Sequence, residues 1–412
     1  MNIIDDLKYR ELVYALTDDA LEQKLNTEKV TFYLGADPTG DSLHVGHLLA
    51  YLVAKRLASF GHQPILLIGG GTGLIGDPSG RSSERKLLTI EETMENARAI
   101  EAQVKRIIPE AKVVNNYEWL SDISLISFLR DYGKYFNINS MLAKDSVKSR
   151  LEQGISFTEF SYQIIQSIDF LKLYEQENCE LQLGGQDQWG NITAGLELIR
   201  KSLGAHHKAY GLVLPLITKK DGSKFGKTAD GAVWLDENKT SPYAFYQYWI
   251  NLDDDEALLR LKQFTEYEKP YIEEIESKMK ETPHHRHAQK ALAKYLCELV
   301  HGSDALKQVE KITDALFYGD VTNLSAKEIE MGFEGVPVYE TREPINIVDA
   351  LVHSTLASSK REARTFLKQN AIALNGEKIQ DPETMLTQEK ALEEAYTVIK
   401  RGKKRYALIK HT

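Results

Sequence analysis

The chain has 412 residues, 42% of them hydrophobic and 27% charged, a length that predicts two or three domains. No apolar run approaches the roughly 20 residues of a membrane span, and two cysteines, Cys179 and Cys297, are too few for a disulfide framework or a cysteine zinc site. A net charge of −9 argues against a surface that coats nucleic acid uniformly, while leaving room for one basic face.

The amino terminus, MNIIDDLKYRELVYAL, has acids where a secretory signal has basic residues, and its apolar residues recur at helical spacing. A soluble, cytoplasmic protein that is not exported is therefore expected. Residues 31–36 (TFYLGA) read as a strand, and the segment from Ser42 as a long helix closed by Gly61, with Ser42 as its cap. PILLIGG from Pro64 predicts a buried strand. A helix through ENARAIEAQVKRII, a strand at AKVVNN, a helix through ISFTEFSYQIIQSIDFLKLY and a strand at ELQLGG continue the alternation. That rhythm predicts an α/β fold, a Rossmann-like doubly wound parallel sheet over residues 1–220.

Residues 221–316 then read as helical, beginning at SPYAFYQYWI with Ser241 as cap and Pro242 in the first turn. Residues 317–344 lack periodicity and read as a linker. Residues 345–412 predict a small α+β module: two helices, the second capped near Ser358, an Asn375-Gly376 hairpin and a second hairpin through TVIKRGKKRYALIK. Residues 397–412 hold six Lys or Arg and no acid, which is either a solvated face or an RNA-binding one.

Three motifs mislead if read alone. GTGLIG at 71–76 fits a dinucleotide fingerprint, but a polar loop follows where a helix is needed. His284 and His287 lie one helical turn apart without a third ligand, and a solvated helix start is the simpler account. DGSKFGKT at 221–228 is one residue short of a phosphate-cradling P-loop, and ADGAVWLDENK after it predicts a short strand rather than a helix. Gly222 and Gly226 then read as hinges for a mobile arm carrying Lys224 and Lys227.

In YLGADPTGDSLHVGH, Asp37, Pro38 and Gly40 make a turn at the carboxyl end of the first strand, so the following helix aims its N-terminus into the crevice where α/β ligands bind. An anion is expected there. His44 and His47 share one face of the first turn, with Gly46 between them for close approach. A capped helix with two surface histidines is the bland alternative. Tyr162, Gln166 and Asp169 are spaced i, i+4 and i+7, a polar stripe that lines a pocket or faces solvent.

Taken together, HVGH at 44–47, KFGKT at 224–228 and LGGQDQWGNI at 183–192 resemble class I aminoacyl-tRNA synthetases, and with the terminal module the whole chain is similar to the bacterial tyrosyl-tRNA synthetase family. Leu34 and Ala50 depart from residues found in some relatives. The resemblance implies tyrosine activation by ATP and transfer of the tyrosyl group to tRNA(Tyr), by a homodimer, with Mg2+ accompanying ATP and no metal site or prosthetic group of its own. It assigns Thr39, His44, His47, Arg81, Arg85, Lys224 and Lys227 to the ATP phosphates. Tyr33 and Asp169 are assigned to the substrate phenol, Asp77, Tyr162 and Gln166 to its ammonium group, and Gln188 to the carboxylate region. Gly35, Asp37, Gly46, Gly185, Asp187 and Lys227 are assigned to ATP or the adenylate. The terminal module resembles an S4 RNA-binding domain, with Lys360, Arg361, Arg364 and Lys368 tracking phosphates. Rivals are a tryptophanyl-tRNA synthetase, and a non-catalytic RNA-binding protein on a synthetase scaffold.

Overall fold

The computed structural model describes residues 1–412 apart from 81–86, 149, 153, 219–224, 229–230, 319 and 403–404. Six strands form the main sheet: β1 (Ala15–Leu16), β2 (Thr31–Ala36), β3 (Gln63–Ile68), β4 (Lys112–Asn115), β5 (Cys179–Gly185) and β6 (Tyr210–Leu214). Their order is β1-β6-β5-β2-β3-β4, parallel except for β1, which pairs antiparallel to β6. The chain runs outward to β3 and β4 on one side of β2 and to β5 and β6 on the other. The order thus reverses between β2 and β5, where an open α/β sheet has its ligand crevice.

Helices cover both faces, so the strands read as continuous apolar runs rather than alternating ones. Phe32, Tyr33 and Leu34 are all buried, as are Ile65 to Ile68. The helix Phe157–Glu177 buries Ile164, Ile168, Phe170 and Leu173 in the same core as Tyr33, Ile65 and Leu67. Its neighbour Trp189–Leu203 meets it at Gly195, where a Cβ would lie 3.0 Å from the Phe170 ring.

The helix after β2 spans Val45–Ser59, and Gly61 beyond it takes φ +95°. Ser42 does not cap it. The Ser42 hydroxyl donates to Leu43 O at 2.8 Å and accepts from Asp236 N at 3.2 Å, while His44 occupies the cap position. The far end of this helix is tied down by charge. Arg56 donates to Asp6 at 2.8 Å and to Thr265 O at 2.6 Å, and the fully buried Arg10 donates to the same Asp6 and to the carbonyls of Lys262, Thr265 and Tyr267. Two guanidiniums around one carboxylate and a set of helix-end carbonyls satisfy groups that would otherwise be buried without partners.

The chain divides into two units, Met1–Lys239 with Leu252–Leu292, and Thr240–Asn251 with Ala293–Thr412. Residues 221–316 are therefore shared between them. In the second unit, Ser241 caps Pro242–Ile250 as its sequence predicts. The stretch 317–344 is not a bare linker. Ser325 and Glu328 form a capping box for the helix Ala326–Gly332, and the strand Val338–Thr341 pairs parallel to Arg405–His411. Sequence periodicity misses both because a helix of seven residues and a strand of four are too short to show it. The terminal sheet contains the hairpin Ile372–Leu374 to Glu377–Ile379, turned by Asn375 and Gly376 at φ 47° and 94°. The helix Lys360–Lys368 is capped by Ser359, and Lys360, Arg361, Arg364 and Lys368 are exposed while Ala363 and Leu367 are buried.

Arg10→Ala leaves Asp6 and three carbonyls short of a donor, and is expected to cost about 3–5 kcal/mol. A lowered urea midpoint with an unchanged slope checks this, and Arg10→Lys should recover only part of the loss because an ammonium cannot reach all four acceptors.

Candidate active site

A cavity of about 340 Å³ opens at the carboxyl ends of β2 and β5. Tyr33, Gly35, Asp37 and Thr39 line it from β2 and the turn after it, Gly185, Asp187 and Gln188 from the end of β5, and Tyr162, Gln166 and Asp169 from one face of Phe157–Glu177. Asp77, Gly46 and His47 also line it, whereas His44 is not among its lining residues. The i, i+4, i+7 stripe therefore faces the cavity and not solvent. Arg81, Arg85, Lys224 and Gly222 lie outside the described residues.

Asp169 is buried to 1% exposure. Asn116 Nδ2 donates to one carboxyl oxygen and Trp119 Nε1 to the other, both at 2.8 Å. Burial pushes its pKa up to about 8, against the opposing pull of those two donors. The Tyr33 hydroxyl, 1% exposed, has no hydrogen-bond partner among the described residues. Burial, and then the charge of Asp169, holds its phenol well above the ordinary tyrosine value, so it stays a donor. The cavity thus presents an unmet buried O–H and a buried carboxyl.

A polar chain runs from that end toward the turn after β2. Asn116 also donates to Thr72 Oγ1 at 2.9 Å, Thr72 donates to Asp37 at 2.7 Å, and Tyr162 donates to the other Asp37 oxygen at 2.9 Å. A second cluster joins Asp77, Gln188 and Gln166: Gln188 Nε2 donates to Asp77 at 2.7 Å, and Gln166 Nε2 reaches Gln188 Oε1 at 3.3 Å. Gln166 Oε1 is buried without a partner among the described residues.

GTGLIG turns out to support this site. Thr72–Leu74 is a single 3-10 turn and not the start of a long helix, which does not fit a dinucleotide fingerprint, yet Gly71 N donates to Asn116 at 2.7 Å. At the preceding Gly69, a Cβ would stand 2.1 Å from the Asp37 carboxylate and 2.4 Å from Thr72 Oγ1, so no other residue fits there. Asn116, Trp119 and Thr72 escape the sequence reading. The only available signal is position: Asn116 follows a strand end, where α/β sites gather polar groups.

His44 Nδ1 accepts from Gly46 N at 3.0 Å, and His47 Nδ1 accepts from His44 N at 3.4 Å. An imidazole that accepts at Nδ1 carries its proton on Nε2 when neutral. The two rings stack with centroids 3.9 Å apart. KFGKT leads into a two-stranded hairpin, Lys227–Thr228 with Gly231–Ala232, and not into a helix. Gly226, at φ +81°, lies against the histidine helix, where a Cβ would come within 3.0 Å of Gly46 N.

A family model described as "tRNA synthetases class I (W and Y)" matches residues 25–318, and one described as "Tyrosine--tRNA ligase SYY-like C-terminal domain" matches 328–409. The chain is 50% identical over 417 residues to tyrosine--tRNA ligase 2 of Bacillus cereus, covering 100% of this chain and 99% of that one. It is 52% identical over 421 residues to tyrosine--tRNA ligase of Geobacillus stearothermophilus, covering 100% of both. The chain belongs to the tyrosyl-tRNA synthetases of class I. Among solved structures, the C-terminally truncated mitochondrial tyrosyl-tRNA synthetase of Aspergillus nidulans matches 77% of this synthetase and 94% of its own chain at 31% identity, with a TM-score of 0.70. A tryptophanyl-tRNA synthetase from Encephalitozoon cuniculi, bound to tryptophan, covers 74% of this chain and 87% of its own at 14% identity and a TM-score of 0.55, a likeness of fold.

Burial raises the Asp169 pKa from 3.8 to about 8, so between about pH 4 and 8 the folded chain holds a proton that the unfolded chain has released. This group's contribution to stability therefore falls as pH rises through that window. Urea unfolding without tyrosine, compared at pH 5 and pH 8, should show a smaller drop in midpoint for Asp169→Asn than for the wild type.

Proposed function

We propose that the cavity binds tyrosine with its phenol between Tyr33 and Asp169, and that ATP lies over the turn after β2 and the end of β5. The synthetase activates tyrosine to tyrosyl-adenylate and transfers it to tRNA(Tyr). The observation that carries the substrate assignment is the Tyr33 hydroxyl, without a partner among the described residues, in a cavity shared with the buried Asp169 carboxyl. A phenol answers both: its oxygen accepts from Tyr33 and its O–H donates to Asp169. Phenylalanine leaves the Tyr33 hydroxyl unmet, and an indole N–H donates without offering Tyr33 an acceptor.

Asp77, Tyr162 and Gln166 take the ammonium group, with Gln188 near the carboxylate. Asp37 orients Tyr162 through the 2.9 Å bond between them. The tyrosine carboxylate attacks the α-phosphorus and pyrophosphate leaves, which asks for alignment and charge stabilisation rather than a protein nucleophile. His44 and His47 donate from Nε2 to the phosphates, with Thr39 and the helix N-terminus beside them. Lys224, Lys227, Arg81 and Arg85 neutralise the departing pyrophosphate. Asp187 holds the ribose and Gly185 leaves room for the adenylate. We assign magnesium to the ATP phosphates, where it would supply charge neutralisation. No helix among the described residues is long and apolar enough to cross a membrane, and a cytoplasmic setting is our reading.

Lys360, Arg361, Arg364 and Lys368 are assigned to tRNA phosphates. Two copies are proposed to pair through an apolar face of the first unit. Leu125, Ile126 and Phe157 are 70%, 68% and 71% exposed, and Phe157 continues a helix face, Ser161, Ile165 and Ile168, that lines an adjoining apolar groove of about 410 Å³.

Pyrophosphate exchange over the twenty amino acids tests the substrate assignment: tyrosine alone should support it, and exchange with tryptophan or phenylalanine would overturn it. Lys227→Ala is expected to slow adenylate formation by about 10²–10³ while tyrosine affinity stays near wild type; equal losses would give the lysine a ground-state role. In sedimentation, Ile126→Glu should convert a dimer to monomers, and a dimer that persists would place the interface elsewhere.

A further inference from the structure

The segment that follows the lysine hairpin runs antiparallel to the residues that start the histidine helix. Val45 N donates to Val233 O at 2.9 Å and Leu235 N to Leu43 O at 2.8 Å, so His44 and Trp234 face each other between the two bonds. In that arrangement opposite residues do not bond to one another through the backbone, and their side chains come closer than at hydrogen-bonded positions. Their rings meet at 5.9 Å and 68°, an edge-to-face contact of the kind that aromatic quadrupoles favour. Trp234 is itself clamped: Lys239 Nζ lies 5.1 Å from its ring centre and pairs with Asp41 in the turn before the histidines.

His44 is thereby held from three directions. Its ring folds back over Gly46, where a Cβ would lie 2.8 Å from Cε1; the His47 ring stacks on it; Trp234 meets it edge-on. The same strand is bonded to the hairpin, since Val233 N donates to Gly226 O at 2.9 Å. We propose that Trp234 is a positioning residue for the activation step: it fixes the His44 imidazole with Nε2 toward the phosphates and joins that ring to the base of the lysine hairpin. The inference rests on the assignment of His44 to the phosphates made above. Trp234 touches no substrate in this reading and acts only through His44.

Four variants test it: Trp234→Leu, Trp234→Phe, His44→Asn and the double variant His44→Asn/Trp234→Leu. The readouts are single-turnover adenylate formation, tyrosine dissociation constant and thermal midpoint. Trp234→Leu should slow adenylate formation about tenfold with tyrosine affinity unchanged, which corresponds to about 1.4 kcal/mol of transition-state positioning. Trp234→Phe, which keeps an aromatic edge, should recover most of the rate. On the His44→Asn background the leucine exchange should cost less than twofold, because the ring it positions is gone. The proposal is overturned if Trp234→Leu retains the full rate, if it weakens tyrosine binding in proportion, or if its effect is undiminished without His44. It is overturned also if Trp234→Phe is as slow as Trp234→Leu while melting like the wild type. A wild-type rate for His44→Asn would instead remove the His44 assignment itself, and the positioning role with it.

Discussion

A carboxyl group buried to 1% exposure between two neutral donors is costly to a fold, and much of the architecture around the cavity serves it. Asp169 sits on a helix whose other side is core, so it cannot turn away to water. Asn116 and Trp119 come from the end of β4 and the short helix after it, and their two N–H groups reduce the penalty without removing it. In the binding mode proposed above a substrate phenol completes the set, meeting the Tyr33 hydroxyl and the Asp169 carboxyl together.

The arrangement extends well past the phenol. Asn116 and Thr72 connect Asp169 to Asp37, and Asp37 holds Tyr162, so the two ends of the cavity share one hydrogen-bonded chain. Such a chain is possible only because the backbone beside it carries no side chains. Gly69 leaves space for the Asp37 to Thr72 bond, and Gly71 donates its own N–H to Asn116. A glycine string that resembles a nucleotide fingerprint is thus a packing surface, chosen for what it lets neighbouring side chains do.

The parallel sheet was legible because its strands are short apolar runs separated by strongly periodic helices, and the cavity followed from the order of motifs along β2 and β5. The stripe Tyr162, Gln166 and Asp169 was legible as a stripe, though its direction was not, since periodicity fixes a face and not what the face meets. Asn116 is marked only by its place after a strand end, and Trp119, Thr72 and Trp234 carry no local signature. Each matters through a partner far away in sequence, and pairing of that kind arises only when the chain is folded. Ser42 illustrates the opposite failure: its composition fits a cap, but Asp236 and Gln103 claim its hydroxyl and a histidine takes its place.

That histidine has two occupations. His44 Nδ1 receives Gly46 N and His47 Nδ1 receives His44 N, so the pair assigned to the phosphates also closes the first turn of its own helix. Truncating either ring to alanine removes a helix cap together with a phosphate donor, and the measured loss of activity mixes the two. The start of the helix and the readiness of the site thus rest on the same two rings.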